Sequence, residues 1–194
     1  MTKLKKDLNA LVIAIVLLFS FSLIAQTTFT ESSVSYGLNI NGAKDGGHAW
    51  ADYDNDGDLD VLVLVNSTSQ RNYLMRNNRI GTGTPDFTNV QNTLVTGMLS
   101  QKAERQAVWG DLNNDGRPDF IMNTDASTGT LKALQIFIQN PSGTFGDGIG
   151  GTAPITVGRD ASSTIQVDPI NSEGVGVFDF DGDGDLDIFF DNHS

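Results

Sequence analysis

Short apolar runs, each behind a polar loop, set the rhythm of the chain. VLVLV at residues 61–65, FIM at 120–122 and DIFF at 187–190 are β-branched or aromatic and too short for helices, so they read as strands. Residues 50–52 lead into the first polar loop, and residues 72–75 and 86–90 complete a set of four short strands. LQIFIQNPSGTF at 134–145 repeats the strand–turn–strand pattern of residues 71–88. A run such as VLVLV is apolar on both faces and needs cover on both sides, which stacked sheets supply. Trp50, Trp109, Phe189 and Phe190 are therefore expected in the core between copies rather than as ligand platforms. The stretch LSQKAERQA at 99–107 is expected in a connecting loop.

The N-terminus follows a different pattern. Lys3, Lys5 and Lys6 precede an unbroken 15-residue run, LVIAIVLLFSFSLIA at 11–25, and Ala25 then gives way to polar residues. This is the layout of a secretory signal peptide, cut near Ala25–Gln26. Fifteen residues fall short of the ~20 that span a bilayer. The mature protein is thus expected to be exported, secreted or on the cell surface, with no membrane span.

The polar loops repeat one motif, D-x-[DN]-x-D-G-x-x-D. It occurs as Asp52, Asp54, Asp56, Gly57, Asp60; as Asp111, Asn113, Asp115, Gly116, Asp119; and as Asp179, Asp181, Asp183, Gly184, Asp187. Position 7 is Asp58, Arg117 and Asp185 in turn. Carboxylates at positions 1, 3 and 5 of a tight loop converge on one point, and glycine at position 6 permits the sharp turn. Position 7 is expected to offer its backbone carbonyl, which explains why its side chain varies. Position 9 closes the shell with another short carboxylate. Hard oxygen donors in this arrangement point to Ca²⁺, about three ions, one per loop. A helix-flanked calcium loop would close with Glu at position 12, whereas Val63, Met122 and Phe190 stand there. The competing reading is a set of metal-free turns, since Asp, Asn and Gly favour turns anyway.

These loops, the aromatic-small pairs Trp50-Ala51 and Trp109-Gly110 before them, and the apolar strands after them resemble the FG-GAP/VCBS repeat family, the calcium-loop β-propeller repeats related to integrin α chains. The resemblance covers roughly residues 35–194. The third copy departs from it, with Val177-Phe178 in place of the Trp pair. It implies an all-β fold, a partial β-propeller of about two and a half four-stranded blades. The expected map is a signal peptide at 1–25, a lead-in strand at 26–46, repeats at 47–105 and 106–173, and a partial repeat at 174–194. Propellers close with about four to eight blades, so a piece of a longer propeller is expected, or else a ring shared between chains.

Composition sharpens this picture. The 194 residues carry a net charge of −12, with 12 Lys plus Arg against 24 Asp plus Glu. No clustered basic face exists for phosphates, so nucleic acid is not expected as a partner. Twenty-one of the acidic residues are Asp and three are Glu, and 13 of the Asp lie in the loops, so the excess is loop chemistry. With no cysteine, disulfides, thiolate metal sites and a cysteine nucleophile are excluded. The two His, His48 and His193, and the three Glu, Glu31, Glu104 and Glu173, form no motif of a known catalytic type. The expected function is a calcium-stabilised module for extracellular binding or adhesion to a protein or glycan, not an enzyme. The alternative is a portion, catalytic or not, of a secreted polysaccharide-degrading enzyme.

Overall fold

The structure is a computed structural model that describes residues 29–40, 46–65, 72–98, 104–124, 132–158, 164–166, 172 and 174–191. The sheets all lie in one compact unit, Ser33–Ser194. The expected signal peptide at 1–25 lies outside the described residues. Among the described residues no helix is long and apolar enough to cross a membrane.

Three antiparallel hairpins recur in one register. β1 (His48–Ala51) pairs with β2 (Asp60–Val63), β5 (Glu104–Gly110) with β6 (Asp119–Thr124), and β11 (Val175–Phe178) with β12 (Asp187–Phe190). In each, the residue before the loop faces position 9: Ala51 opposite Asp60, Gly110 opposite Asp119, Phe178 opposite Asp187. The Asp-rich segment is thus the hairpin turn itself. β3 (Tyr73–Asn77) and β4 (Phe87–Asn89) complete a four-stranded meander in the first copy. A single helical turn follows each of these strands, α1 (Arg79–Thr82) and α2 (Gln91–Leu94).

In the second copy β7 (Lys132–Gln139) takes the third place, but its far edge is shared. β8 (Phe145–Gly146) pairs at one end and β9 (Ile155–Gly158) at the other, with β10 (Ile165–Gln166) parallel to β9. The fourth strand is interrupted by an excursion, residues 147–154. Asp147 holds that excursion by accepting from the N–H groups of Ile149 (3.0 Å) and Gly151 (2.7 Å). It packs back on the first copy closely enough that a Cβ on Gly97 would stand 1.9 Å from the Thr152 carbonyl oxygen.

Two expectations about local structure are corrected. Residues 104–107 of the stretch assigned to a loop belong to β5, because Ala107 is buried in the core between copies. The described part of the lead-in, residues 29–40, holds a turn and no strand. Its Tyr36, Leu38 and Ile40 nonetheless pack on Val61, Met75 and Phe87 of the first sheet.

Alternation along the central strands divides the core. Leu62, together with Tyr53, Leu64 and Leu74, packs against Phe120, Met122, Phe137 and Phe145 of the second copy. Ile121, next to Phe120, faces the other way and packs with Leu134, Ile136 and Val175, the last from the third copy. Each fully buried aliphatic or aromatic side chain here contributes about 1.5–3 kcal/mol. The aromatic residues split by position. Trp109 and Phe190 pack on these clusters, but Trp50 is 46% and Phe189 63% exposed, against expectation. Trp109 is covered by the copy before it and Leu62, the counterpart of Phe189, by the copy after it. Among the described residues, no copy precedes Trp50 or follows Phe189.

Phe180, the counterpart of Tyr53 in the third loop, is also exposed, at 78%. Exposed apolar faces of this kind drive association. Replacing Phe180 and Phe189 by Ser is expected to lower the concentration-dependent light scattering of the chain several-fold, with little change in melting temperature. Unaltered scattering would show that another surface is responsible.

Candidate metal centres

The three loops are built by the same local hydrogen bonds. The position 1 carboxylate accepts from the N–H groups of positions 5 and 6: Asp52 from Asp56 (3.0 Å) and Gly57 (2.9 Å), Asp111 from Asp115 (3.0 Å) and Gly116 (2.8 Å), Asp179 from Asp183 (3.1 Å) and Gly184 (3.0 Å). The position 5 carboxylate accepts from the N–H of position 7 at 3.0 Å in all three. The chain doubles back through two left-handed residues. Position 6 has φ of 92°, 83° and 95° at Gly57, Gly116 and Gly184, as the motif predicts. Position 4 is left-handed too, with φ of 57° at Asn55, 56° at Asn114 and 80° at Gly182. The sequence reading missed this second turn residue. Its signal was present, because Asn and Gly are the residues that tolerate this backbone region.

Position 9 ties each loop to its sheet. Asp60 is fully buried and accepts from Tyr53 N–H (3.2 Å) within the loop and from Asn77 N–H (2.8 Å) at the end of β3. Asp119 does the same with Leu112 (2.8 Å) and Gln139 (2.7 Å). Asp187 accepts from Phe180 N–H (2.8 Å). A residue expected only to close a metal shell is therefore also the clamp between loop and strands.

Position 7 needs a similar revision. Its side chains are not idle. The Asp58 carboxylate is buried and accepts from Ile80 N–H (2.7 Å) and from Arg79 (3.3 Å) at the start of α1. Arg117 donates from Nε to the Gln139 carbonyl (3.2 Å) and pairs with Asp115. Asp185 accepts from the Asn114 amide of the second loop.

Carboxylate oxygens of Asp52, Asp54 and Asp60 lie within 4.8 Å of one another, as do those of Asp179, Asp181 and Asp187. These are positions 1, 3 and 9. Asp56 and Asp183 stand outside these groups but brace them through position 7. In the second loop Asn113 replaces the carboxylate of position 3, leaving Asp111 and Asp119 from that trio. Crowding shows in the protonation equilibria. Burial pushes Asp60 up to about 7, against the two N–H bonds that favour its charged form, and the charges of Asp54 and Asp56 push the same way. Burial and the Asp56 charge raise Asp54, and burial raises Asp119. The Tyr53 hydroxyl is also raised, by burial and by Asp54.

Loops of this geometry, strung between short antiparallel strands, define a repeat module. Residues 52–122 match the family model described as an FG-GAP-like repeat. The match runs from the first aspartate of the first loop to β6 in the second copy. Residues 52–122 therefore carry an FG-GAP-like repeat, and the acidic clusters at the hairpin turns of the first and third loops are of a kind able to hold a metal ion. No curated protein matches the chain.

Asp60→Ala leaves the buried Tyr53 and Asn77 N–H groups without their acceptor, at about 1–3 kcal/mol each. In calcium-free buffer it is expected to lower unfolding free energy by about 2–5 kcal/mol, and Asp187→Ala, with one exposed partner, by less than about 1 kcal/mol. Urea denaturation of the two variants measures the difference, and equal losses would contradict the clamp.

The raised Asp60 also sets a pH dependence. A carboxyl whose folded-state pKa lies above its ordinary value of about 3.9 stabilises the fold when protonated. That contribution is full below about pH 4 and is lost as pH rises through about 7. Asp54 and Asp119 act in the same direction. Melting temperature in chelator is expected to fall between about pH 4 and 7, and a rise across that window would contradict the assignment.

Proposed function

We propose that this module is exported and calcium-stabilised, and that it works in extracellular binding or adhesion. The observation that carries the reading is the convergence of Asp52, Asp54 and Asp60, and of Asp179, Asp181 and Asp187, each within 4.8 Å at a hairpin turn. Ca²⁺ takes six to eight oxygens at ~2.3–2.6 Å in a flexible shell, and three carboxylates already gathered on a stiff turn fit that demand. The position 5 carboxylates Asp56 and Asp183 stand alongside to supply a further oxygen. When bound, the ion supplies positive charge where ligand charges of −4 crowd in the first and third loops. Asp60, with one oxygen on the loop and one on β3, then links the ion to the sheet.

The role assigned to the ion is structural. The same hydrogen-bond pattern recurs in three loops, whereas a catalytic centre sets one site apart from its repeats. His48 lies on β1, before the first loop. Export follows from Lys3, Lys5, Lys6 and the apolar run at 11–25. Calcium at about 10⁻⁴–10⁻³ M, the working range of extracellular modules, suits such a site. The surface offered to a protein or glycan is the loop end of the stacked sheets.

Thermal melts of the chain with calcium and with chelator test the reading. At calcium tenfold above Kd, each independent site adds about 1.4 kcal/mol, so the melts should separate clearly. Magnesium at equal concentration should give much less, since it demands a smaller octahedral shell. Superimposable melts would mean that the loops are ordinary turns.

A further inference from the structure

The second copy carries an aromatic socket that is filled, and the first copy carries the same socket open. Trp109 and Phe145 stand edge to face, with ring centres 5.9 Å apart. The ring of Tyr53, from the preceding copy, lodges against both, stacked on Trp109 at 6.4 Å and edge-on to Phe145 at 5.8 Å. In the first copy Phe87 lies opposite Asn77 as Phe145 lies opposite Gln139, and Trp50 meets Phe87 edge to face at 6.1 Å. Beside this pair is a cavity of about 450 Å³, walled by Trp50 and Phe87 with Tyr36, Leu59, Pro85 and Arg79. The lead-in packs on Val61, Met75 and Phe87 but leaves Trp50 46% exposed. The Trp109 indole N–H donates to the Ala49 carbonyl, whereas that of Trp50 has no acceptor among the described residues.

The ring that would fill this socket stands at the other end of the chain. Position 2 of the loops is Tyr53, Leu112 and Phe180. Tyr53 is buried by the second copy, and Leu112 packs in the cluster that holds Val175, Val177 and Phe190 of the third. Phe180 is 78% exposed. Phe189 is exposed too, and its counterparts Leu62 and Ile121 are fully buried against the copy that follows each of them. The pairings obey a rule of kind. Aromatic Tyr53 meets Trp109, and aliphatic Leu112 meets Val177, which holds the place of Trp109 in the third copy. Phe180 and Trp50 are the aromatic pair left over, and stacked or edge-on rings gain more than their buried area alone. The Gly176 carbonyl, opposite Phe189 as Ala49 is opposite Leu62, is the matching acceptor for the Trp50 indole.

We propose that the front of one chain receives the rear of a second copy, with the partner's Phe180 entering the cavity beside Trp50 and Phe87 as Tyr53 enters the one beside Trp109. The contact extends the interface already present between copies within the chain. It is head to tail, so it closes a ring or runs on as a filament. It goes beyond the binding role proposed above by naming a partner, another copy of this chain, and it does not depend on the calcium reading.

Sedimentation velocity of the full chain over a hundredfold range of concentration reads the association. The wild type is expected to grow beyond dimers. Trp50→Ser opens the socket wall and Phe180→Ser removes the plug, and each variant alone is expected to stay monomeric. Mixed in equal amounts they restore one socket and one plug, and the mixture is expected to form dimers and stop there. Because both side chains are exposed, the variants should melt like the wild type. Two conservative changes give an independent readout. Phe180→Tyr, which installs the residue of the first loop, should associate like the wild type, and Phe180→Leu at least tenfold more weakly. A wild type that stays monomeric, a single variant that still assembles, a mixture that remains monomeric or grows past dimers, or equal association of the Tyr and Leu variants overturns the proposal.

Discussion

The first two sheets each hang on one short, buried carboxylate at the foot of their second strand. Asp60 and Asp119 accept one N–H from the loop that precedes them and one from the third strand beside them. Two backbone donors that would otherwise be buried without partners are satisfied by a single side chain. The bond to the loop sets the hairpin turn, and the bond to the strand end sets where β3 and β7 stop. A glutamate would overreach both. The same burial that makes the clamp effective disfavours its negative charge, which is why Asp60 is pushed up to about 7. The clamp therefore works against its own charge, and a cation in the loop or a proton relieves the conflict.

The second dependence runs between copies. Tyr53 follows the first aspartate of its loop and is enclosed by the second copy, with its ring stacked on Trp109 at 6.4 Å and edge-on to Phe145 at 5.8 Å. The Trp109 indole N–H reaches back to the Ala49 carbonyl (3.1 Å), and the Gln139 amide to the Tyr53 carbonyl (3.0 Å). These contacts fix two neighbouring turns relative to each other. Beyond them, Asn114 of the second loop touches Asp185 of the third. Loop geometry and sheet stacking are thus one problem: a loop that loses its shape displaces Tyr53 or its counterparts, Leu112 and Phe180.

Much of the site was legible in the chain because its rules are local. Spacing placed the carboxylates at positions 1, 3, 5 and 9, glycine marked the left-handed position 6, and short β-branched runs marked the strands. Position 4 was legible in principle, as Asn55, Asn114 and Gly182, once a second left-handed residue is required. The clamp at position 9 was not, because its partners Asn77 and Gln139 lie 17 and 20 residues further along. Asp58 shows the same limit. Nothing near it in the chain indicates that its carboxylate is buried against α1, more than twenty residues away.

The aromatic residues draw the line most clearly. Trp50 and Trp109 sit at the same place in their copies, and no local rule tells them apart. Trp109 is packed because a preceding copy supplies Tyr53 and the Ala49 carbonyl, and Trp50 is 46% exposed. The interrupted fourth strand is a similar case, since β8 and β9 are defined only by the edge of β7 that they share. By itself, then, the sequence determined the turn chemistry and the strand type, which depend on backbone angles and side-chain reach over fewer than ten residues. The tertiary structure alone decided which faces are covered and which carboxylates bear the burial, because those follow from groups brought together across the fold.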